Sequence, residues 1–287
     1  MKVLVLGGAG QVARAVAHSV PAHSEVTVLT RAELDIADEA AVARALESIR
    51  PHWIVNGAAY TAVDRAEDER AQAIAINDTA VGVLAGAASS ISCRMLHLST
   101  DFVFDGRSNR AYLPADPTNP LSVYGASKLG GEEKVLSAVG GLVLRTAWVY
   151  AAAGRNFVLT MLRLMAERDR VNVVCDQIGT PTWAAGIAEA VWGLIDVDAP
   201  AGIYHWTDLG VASWYDFAVA IQDEALARGL LSRAVPIGPI PSSDYPTRAQ
   251  RPAFSVLDTA GTRALIKAPA RHWRHNLGMM LDELRTR

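Results

Sequence analysis

The segment "NPLSVYGASKLGGEE" (residues 119–133) sets Tyr124 four residues before Lys128. In a helix, positions i and i+4 share a face, so the phenol and the amine would stand one turn apart. A free phenol, with a pKa of about 10, gives up its proton poorly at neutral pH, and a cation beside it brings it closer to that range. The pair therefore has the makings of an acid–base couple. The same spacing also describes a surface aromatic beside a solvated lysine, and it is common by chance.

A second chemical signal lies at the N-terminus. "GGAGQVA" (residues 7–13) follows an apolar run and opens a helical one, with Gly7, Gly10 and Ala13 spaced as GxxGxxA. Glycines at the first two positions allow a tight turn and a close approach to a pyrophosphate. A small third residue lets helix and strand pack closely, and the free N–H groups of the helix start, at Gln11 and Val12, suit phosphate oxygens. A glycine pair can also be a plain strand-to-helix turn. An acidic residue ending the second strand would bind a ribose 2′-hydroxyl, but Thr30 and Arg31 stand there instead. An arginine can pair with a 2′-phosphate, so NADPH is favoured and NADH stays open; an arginine at a strand end is also often only solvated.

These residues need a frame. "KVLVLG", "EVTVLT", "WIVNGAA", "RMLHLST" and "GLVLRTAWVY" read as strands, with helical stretches between them: from Gln11, over residues 38–51, in "AEDERAQAIAINDTAVGVLAGAASS" (one long or broken helix), and around Tyr124. This alternation predicts right-handed βαβ units and an α/β fold, a doubly wound, Rossmann-like parallel sheet. Beyond Tyr150 the rhythm loosens. "NFVLTMLRLMAERD" predicts a helix capped by Asn156, "VNVVCDQIGTPT" a strand, "WAAGIAEAVWGLI" a helix and "GIYHW" a strand. "SWYDFAVAIQDEAL" starts with a capping-box pair, Ser213 and Asp216, and the C-terminus is helical. "VPIGPIPSSDYPTRAQRP" is too rich in proline for a core strand and predicts an ordered loop over a surface or a cleft. Residues 1–150 are thus expected to bind the dinucleotide. Residues 151–287 are expected to form mainly a smaller mixed α/β substrate lobe, interleaved with the first.

Composition removes several classes. With 27 basic against 30 acidic residues the net charge is −3, which gives no footprint for nucleic acid. Cys93 and Cys175, the only cysteines, lie in apolar surroundings and suggest buried thiols in a reducing cytoplasm. No run of about 18 apolar residues suggests a membrane span, and "MKVLVLGGAG" ends in glycines rather than at a leader cleavage site. His97, His205 and His272 have no spacing that suggests a metal or a relay and are expected to be structural.

"GGAGQVA", "NGAAYTAVDRAE", "LSTDFVFDG", "NPLSVYGASKLGGEE", "LRTAWVY", "NFVLTML", "DQIGTPT", "GIYHW", "SWYDFA" and "RPAFSVLD" occur in this order along nearly the whole chain. With them the chain resembles the dTDP-4-dehydrorhamnose reductases, which are extended short-chain dehydrogenases/reductases. The resemblance implies that hydride from a nicotinamide reduces the C4 ketone of a dTDP-4-keto-6-deoxyhexose to give dTDP-L-rhamnose. It makes Tyr124 the proton donor and gives Lys128 the tasks of lowering its pKa and holding the nicotinamide ribose. Thr100, ending "MLHLST" at the carboxyl end of a strand, is the third catalytic candidate. Ala59, Tyr60 and Thr61 should line the cofactor, and Asp35 and Ile36 should flank its adenine.

For the substrate, Asp101 is expected to contact a sugar hydroxyl or to orient its loop. Trp148 should stack on the hexose or the thymine, and Asn156, Gln177 and Thr182 should face the same cleft. Arg251, with Arg248 close by in the sequence, is the candidate for the diphosphate because an arginine fork suits phosphate oxygens. Asp64 and Glu67 read as first-turn helix acids. Some relatives are described as needing Mg²⁺, but no acidic cluster places ligands for it here; a homodimer is left open. Ala13 replaces a usual third glycine, and Phe102 replaces a tyrosine often found in the family, which leaves the sugar more open than the reaction. Two other classes fit the same motifs: a reductase or epimerase for another nucleotide sugar, and a non-catalytic NADP-binding regulatory subunit. Retention of Thr100, Tyr124 and Lys128 favours catalysis.

Overall fold

A computed structural model of the chain describes residues 1–286. In chain order the strands are β1 (Lys2–Leu6), β2 (Glu25–Leu29), β3 (Trp53–Asn56), β4 (Arg94–Thr100), β5 (Gly141–Thr146), β6 (Val149–Tyr150), β7 (Val171–Val174), β8 (Ile178–Gly179), β9 (Thr182–Trp183), β10 (Gly202–His205), β11 (Ala212–Ser213) and β12 (Ile237–Ile240). The helices are α1 (Gln11–His18), α2 (Glu39–Ile49), α3 (Val63–Ala66), α4 (Arg70–Ile74), α5 (Ala80–Ser90), α6 (Val123–Ser137), α7 (Phe157–Glu167), α8 (Ala184–Asp196), α9 (Trp214–Ala227), α10 (Ala260–Ile266) and α11 (Trp273–Arg285).

Six strands form one sheet in the order β10-β5-β4-β3-β1-β2, with every pair parallel. Alternate residues serve opposite faces, which is why the strands read as unbroken apolar runs. Val3, Val5, Val55, Leu96 and Leu142 pack with Val16 of α1 and Ile187 and Val191 of α8. Leu4, Leu6, Ile54, Met95 and Val143 pack with Leu46 of α2, Leu84 of α5 and Val135 of α6. The expected doubly wound sheet is therefore present. β10 and α8 follow residue 150 in the sequence yet complete the sheet and its helical cover. The strand order reverses around β1, between β2 and β3, and such a switch point opens a crevice outside the carboxyl ends of the strands.

The long helical stretch is broken. A π-helical turn at Ala75–Thr79 separates α4 from α5. The run Arg70–Ser90 has 21 residues and contains an 18-residue window of mean hydropathy 1.2, enough by length and composition alone to cross a membrane. That differs from the expectation that no such run exists. Here Val81, Leu84, Ala85 and Ala88 are buried against the sheet, so its apolar face is that of a core helix.

The remaining elements build a second core, in which Val158, Met165, Phe217, Ile221, Leu277 and Met280 are fully buried. The proline-rich stretch corrects its sequence-based expectation. Ile237–Ile240 is strand β12, paired in parallel with β7, and its Pro239 is tolerated because the two-stranded pair leaves an edge. The stretch expected to be one strand, residues 171–182, divides into β7, β8 and β9, and α10 had no signal that was noticed.

One glycine sets the geometry at the top of the sheet. Gly7 has φ +79°, and a methyl group there would lie 2.7 Å from the Gly57 carbonyl carbon and the Ala58 nitrogen. The turn after β1 and the turn after β3 thus touch backbone to backbone. Gly7→Ala should cost about 2 kcal/mol through left-handed strain and this clash. Urea unfolding should show a lower midpoint with an unchanged slope; an unchanged midpoint would mean that the turn relaxes freely.

Candidate active site

A cleft of 810 Å³ opens at the carboxyl ends of the strands. Its walls come from the turn after β1, the loop after β3, the ends of β4 and β5, the first turns of α6, and Trp148, Asn156, Phe157 and Trp214 of the later part of the chain. A second hollow of 650 Å³ lies at the opposite ends of the strands, beside Arg50, Pro51, His52 and Ser92. Open α/β sheets place ligands at carboxyl ends, and of the two hollows only the first is lined by Tyr124 and Lys128.

Ser122 caps α6 by accepting the Gly125 N–H at 3.2 Å, and Glu67 accepts the Val123 N–H at 2.9 Å. Tyr124 follows in the first turn, half-buried, with the Phe102 ring set edge-on at 5.6 Å. Burial pushes the phenol up to about 12; hydrogen bonding with Thr100 opposes this, and the charge of Asp101 adds to it. Lys128 is 2% exposed. Its ammonium nitrogen donates to the Leu98 carbonyl at 2.7 Å and lies 3.0 Å from His97 Nε2. Burial lowers Lys128 to about 8, while the carboxylate of Glu132 draws it upward. Glu132, one turn further along α6, is itself buried and paired with Arg145 of β5 at 2.6 Å. A phenol, an amine and a carboxylate thus follow one another along the same helix face.

Thr100 ends β4, its hydroxyl donating to Asp101 Oδ1 at 3.1 Å and accepting the Phe102 N–H at 3.2 Å. Asp101 is 2% exposed, and its Oδ2 has no hydrogen-bond partner among the described residues. Burial raises this carboxyl from 3.8 to about 6. Hydrogen bonding with Ser255 and Thr100 partly offsets the rise.

Trp148 has φ +48°, an unusual backbone for a bulky side chain. Its indole stacks on Trp214 at 3.5 Å and 2°, and a methyl at Gly179 would come within 2.5 Å of the same ring. Trp214 is in turn fixed by a hydrogen bond to Gln177 at 3.2 Å. Strain, stacking and the missing side chain hold the indole as a rigid wall.

The cleft brings together Gly10, Gln11, Val12, Ala59, Thr61, Thr100, Asp101, Tyr124, Lys128, Trp148, Asn156 and Arg251. Asn156 caps α7 and also donates to Gln11 Oε1 at 2.9 Å, joining the two walls. Other candidates stand apart. Gly7 lies beneath, in the turn. Tyr60 donates its hydroxyl to Glu69 at 2.6 Å. Arg31 and Asp35 are exposed at the end of β2 and pair with each other at 3.2 Å, whereas Ile36 is buried in the sheet core. Arg251 makes a two-pronged contact with Asp64 at 2.9 and 3.1 Å, and Arg248 pairs with Asp68. Thr182 is fully buried and donates to the Thr180 carbonyl, while Gln177 braces Ser242 and Trp214. His272 caps α11, and burial lowers His205 to about 3. Cys93 is buried, but Cys175 is only partly so.

Sequence reasoning missed Asn77, at the π-helical turn. Its amide accepts the Tyr60 N–H at 2.8 Å and donates to the Tyr60 carbonyl and the Ser127 hydroxyl, each at 3.0 Å, clamping the loop after β3 to α6. Trp214 and Glu132 were missed as well, and His97, expected to be structural, lies against Lys128. Of these only Glu132 left a trace in the sequence, at i+4 from Lys128. Among the described residues no three histidine, cysteine or acidic side chains converge as metal ligands.

Residues 1–286 match the family described as the RmlD substrate binding domain. The chain belongs to this family. A dTDP-4-dehydrorhamnose reductase from Burkholderia thailandensis is 42% identical over 295 residues, spanning 99% of this chain and 99% of that relative. A dTDP-4-dehydrorhamnose reductase structure from Clostridium acetobutylicum superposes with a TM-score of 0.93 at 35% identity, covering 99% of this chain and 100% of that one. Another, from Bacillus anthracis in complex with NADP, gives 0.93 at 31% identity, covering 98% and 99%. The resemblance noted in the motifs thus extends over the whole RmlD fold. A dinucleotide fits the cradle found here: α1 begins at Gly10 with no side-chain cap, so its first N–H groups are free to meet a pyrophosphate.

The strain at Asp101 is measurable. A carboxyl raised to about 6 is harder to ionise in the folded chain than in the unfolded one, so the folded state carries a penalty that is full above about pH 6 and vanishes below the ordinary 3.8. At 1.36 kcal/mol per unit the penalty is on the order of 2–3 kcal/mol. Asp101→Asn should raise the melting temperature at about pH 7.5 and lose that gain as the pH falls through 6 toward 4. A gain that does not vary with pH would show that the carboxyl is unstrained.

Proposed function

We propose that the cleft reduces the C4 ketone of a dTDP-4-keto-6-deoxyhexose with NADPH, converting dTDP-4-dehydro-β-L-rhamnose to dTDP-β-L-rhamnose. The observation that carries this is the convergence of Tyr124, Lys128 and Thr100 on one cleft with the uncapped start of α1. NADPH supplies the hydride when bound. The chain's own task is to hold the ketone and to protonate its oxygen as charge develops there.

Tyr124 is suited to that direction of reaction. A phenol pushed up to about 12 keeps its proton at neutral pH, and a reductase must begin each turnover with that proton loaded. The O–H bond of Tyr124 breaks as the new O–H bond of the sugar forms, and the phenolate left behind faces Lys128. Thr100 offers a second hydroxyl to the same oxygen. Asp101 presents its free oxygen to a sugar hydroxyl, and the fixed indole of Trp148 forms a face for the hexose or the base. Asn156 completes that wall. The later part of the chain adds Asn156 and Arg251 to a substrate side that otherwise comes, like the cofactor side, from residues 1–150.

Gln11 and Val12 would hold the pyrophosphate, Ala59 and Thr61 the cofactor beyond it, and Tyr60 the loop that carries them. Arg31, exposed at the end of β2, would meet the 2′-phosphate, with Asp35 and Ile36 near the adenine. Arg251 would reach the sugar's diphosphate from its seat on Asp64.

Tyr124→Phe should leave the NADPH dissociation constant nearly unchanged and lower kcat at least about 10²-fold, since one proton donor is removed. The assay follows loss of NADPH absorbance with dTDP-4-keto-6-deoxy-L-mannose and identifies the product by NMR. Turnover at the wild-type rate in the variant would reject Tyr124 as the acid. Failure of the wild-type chain to oxidise NADPH with this sugar would reject the substrate.

A further inference from the structure

His97 is fully buried in β4, between Asn56 of β3 and Lys128 of α6. The three groups form a line whose proton count can be worked out. Asn56 Oδ1 accepts the Ala58 N–H at 3.0 Å. A backbone nitrogen can only donate, so this contact fixes which end of the amide is oxygen. The other end, Nδ2, then lies 3.0 Å from His97 Nδ1. An amide nitrogen also only donates, so Nδ1 must carry the lone pair and the ring's proton must sit on Nε2. That nitrogen is the one 3.0 Å from Lys128 Nζ. An N–H at this distance finds a lone pair only if Lys128 is an amine; opposite an ammonium, two hydrogens would meet.

The ring has no escape through a second proton, because burial, reinforced by the charge on Lys128, holds His97 well below its usual range. Protonating Lys128 therefore costs the Asn56–His97 hydrogen bond, since one neutral imidazole cannot accept from both neighbours. We propose that His97 is a positioning residue for Lys128: its tautomer, set by Asn56, opposes the ammonium and ties the charge of the lysine to a hydrogen bond on the neighbouring strand. The other groups around the amine do not cancel this. The Leu98 carbonyl accepts in either state, Glu132 favours the charge but is paired with Arg145, and Tyr124 is neutral until it gives up its proton. Burial lowers Lys128 in the same direction, to about 8. An ordinary lysine stays charged throughout turnover, whereas one titrating near neutrality can gain and lose its proton within the cycle.

The consequence for turnover rests on the proposed roles of Tyr124 and Lys128, but the tautomer is a property of the cofactor-free protein and is measured there. In ¹⁵N-labelled protein at about pH 9.5, where Lys128 is an amine, long-range ¹H–¹⁵N spectra should show the His97 proton on Nε2. Asn56→Asp keeps an oxygen for Ala58 and gives Nδ1–H an acceptor. It should move the ring proton to Nδ1, raise the Lys128 midpoint by at least about one unit, and shift the alkaline limb of the kcat profile with it. A role confined to packing would change stability and leave the tautomer and the midpoint where they were, and that result overturns the proposal. A proton found on Nδ1 in the wild-type chain overturns it directly, even if the variant fails to fold. Loss of the proposed sugar reductase activity with the Nε2 tautomer intact would sink the function and leave this inference standing.

Discussion

The upper half of the molecule is organised around the burial of one amine. An ammonium removed from water costs several kcal/mol unless hydrogen bonds and opposite charge replace its hydration. At Lys128 the replacements come from the Leu98 carbonyl and the Glu132 carboxylate, which belong to β4 and α6. They can be reached only if α6 lies almost on top of its neighbours. Gly125 and Gly131 make that possible, since a methyl group at either would run into the carbonyl oxygen of Phe102 or of Asn77. Gly125 and Gly131 of "YGASKLGGEE" therefore set how deeply α6, and Lys128 with it, is seated.

Two buried carboxyls near this amine have opposite surroundings. Glu132 has the Arg145 guanidinium along both oxygens and the Ser99 hydroxyl as well, so its charge is satisfied within the fold. Asp101 has one oxygen with nothing to accept from and a raised pKa. Environment assigns tasks to chemically similar groups in this way. The satisfied carboxylate draws Lys128 upward from below; the other keeps one enclosed oxygen without a hydrogen-bond partner among the described residues. The left-handed backbone of Trp148 belongs to the same pattern: strain is tolerated where surrounding packing, here Trp214 and Gly179, leaves the residue no alternative.

What the sequence disclosed follows from how local each signal is. The Tyr124–Lys128 couple, the glycine turn and the caps of Asn156 and Ser213 depend on residues within one or two turns, and they were legible at once. Strand β12 was not, because proline argues against a central strand and only the partner β7 reveals an edge. The ion pairs of Arg251 with Asp64 and Arg248 with Asp68 join residues about 180 positions apart, and no spacing rule reaches so far. His97 was dismissed for lack of a metal-like pattern. Its partners lie 41 and 31 residues away, brought close by the parallel register of β3 with β4 and by the seating of α6.

Burial acts on the phenol and the amine in a way that neither shows alone. It raises Tyr124 to about 12 and lowers Lys128 to about 8, because each charged form by itself loses hydration. A low-dielectric wall that penalises isolated charges also strengthens attraction between opposite ones. Each shift has its own further surroundings: Thr100 and Asp101 act on the phenol, and Glu132 acts on the amine. The phenol therefore keeps its proton at neutral pH, while the amine four residues along the helix titrates at about 8. The depth at which α6 is set drives both shifts.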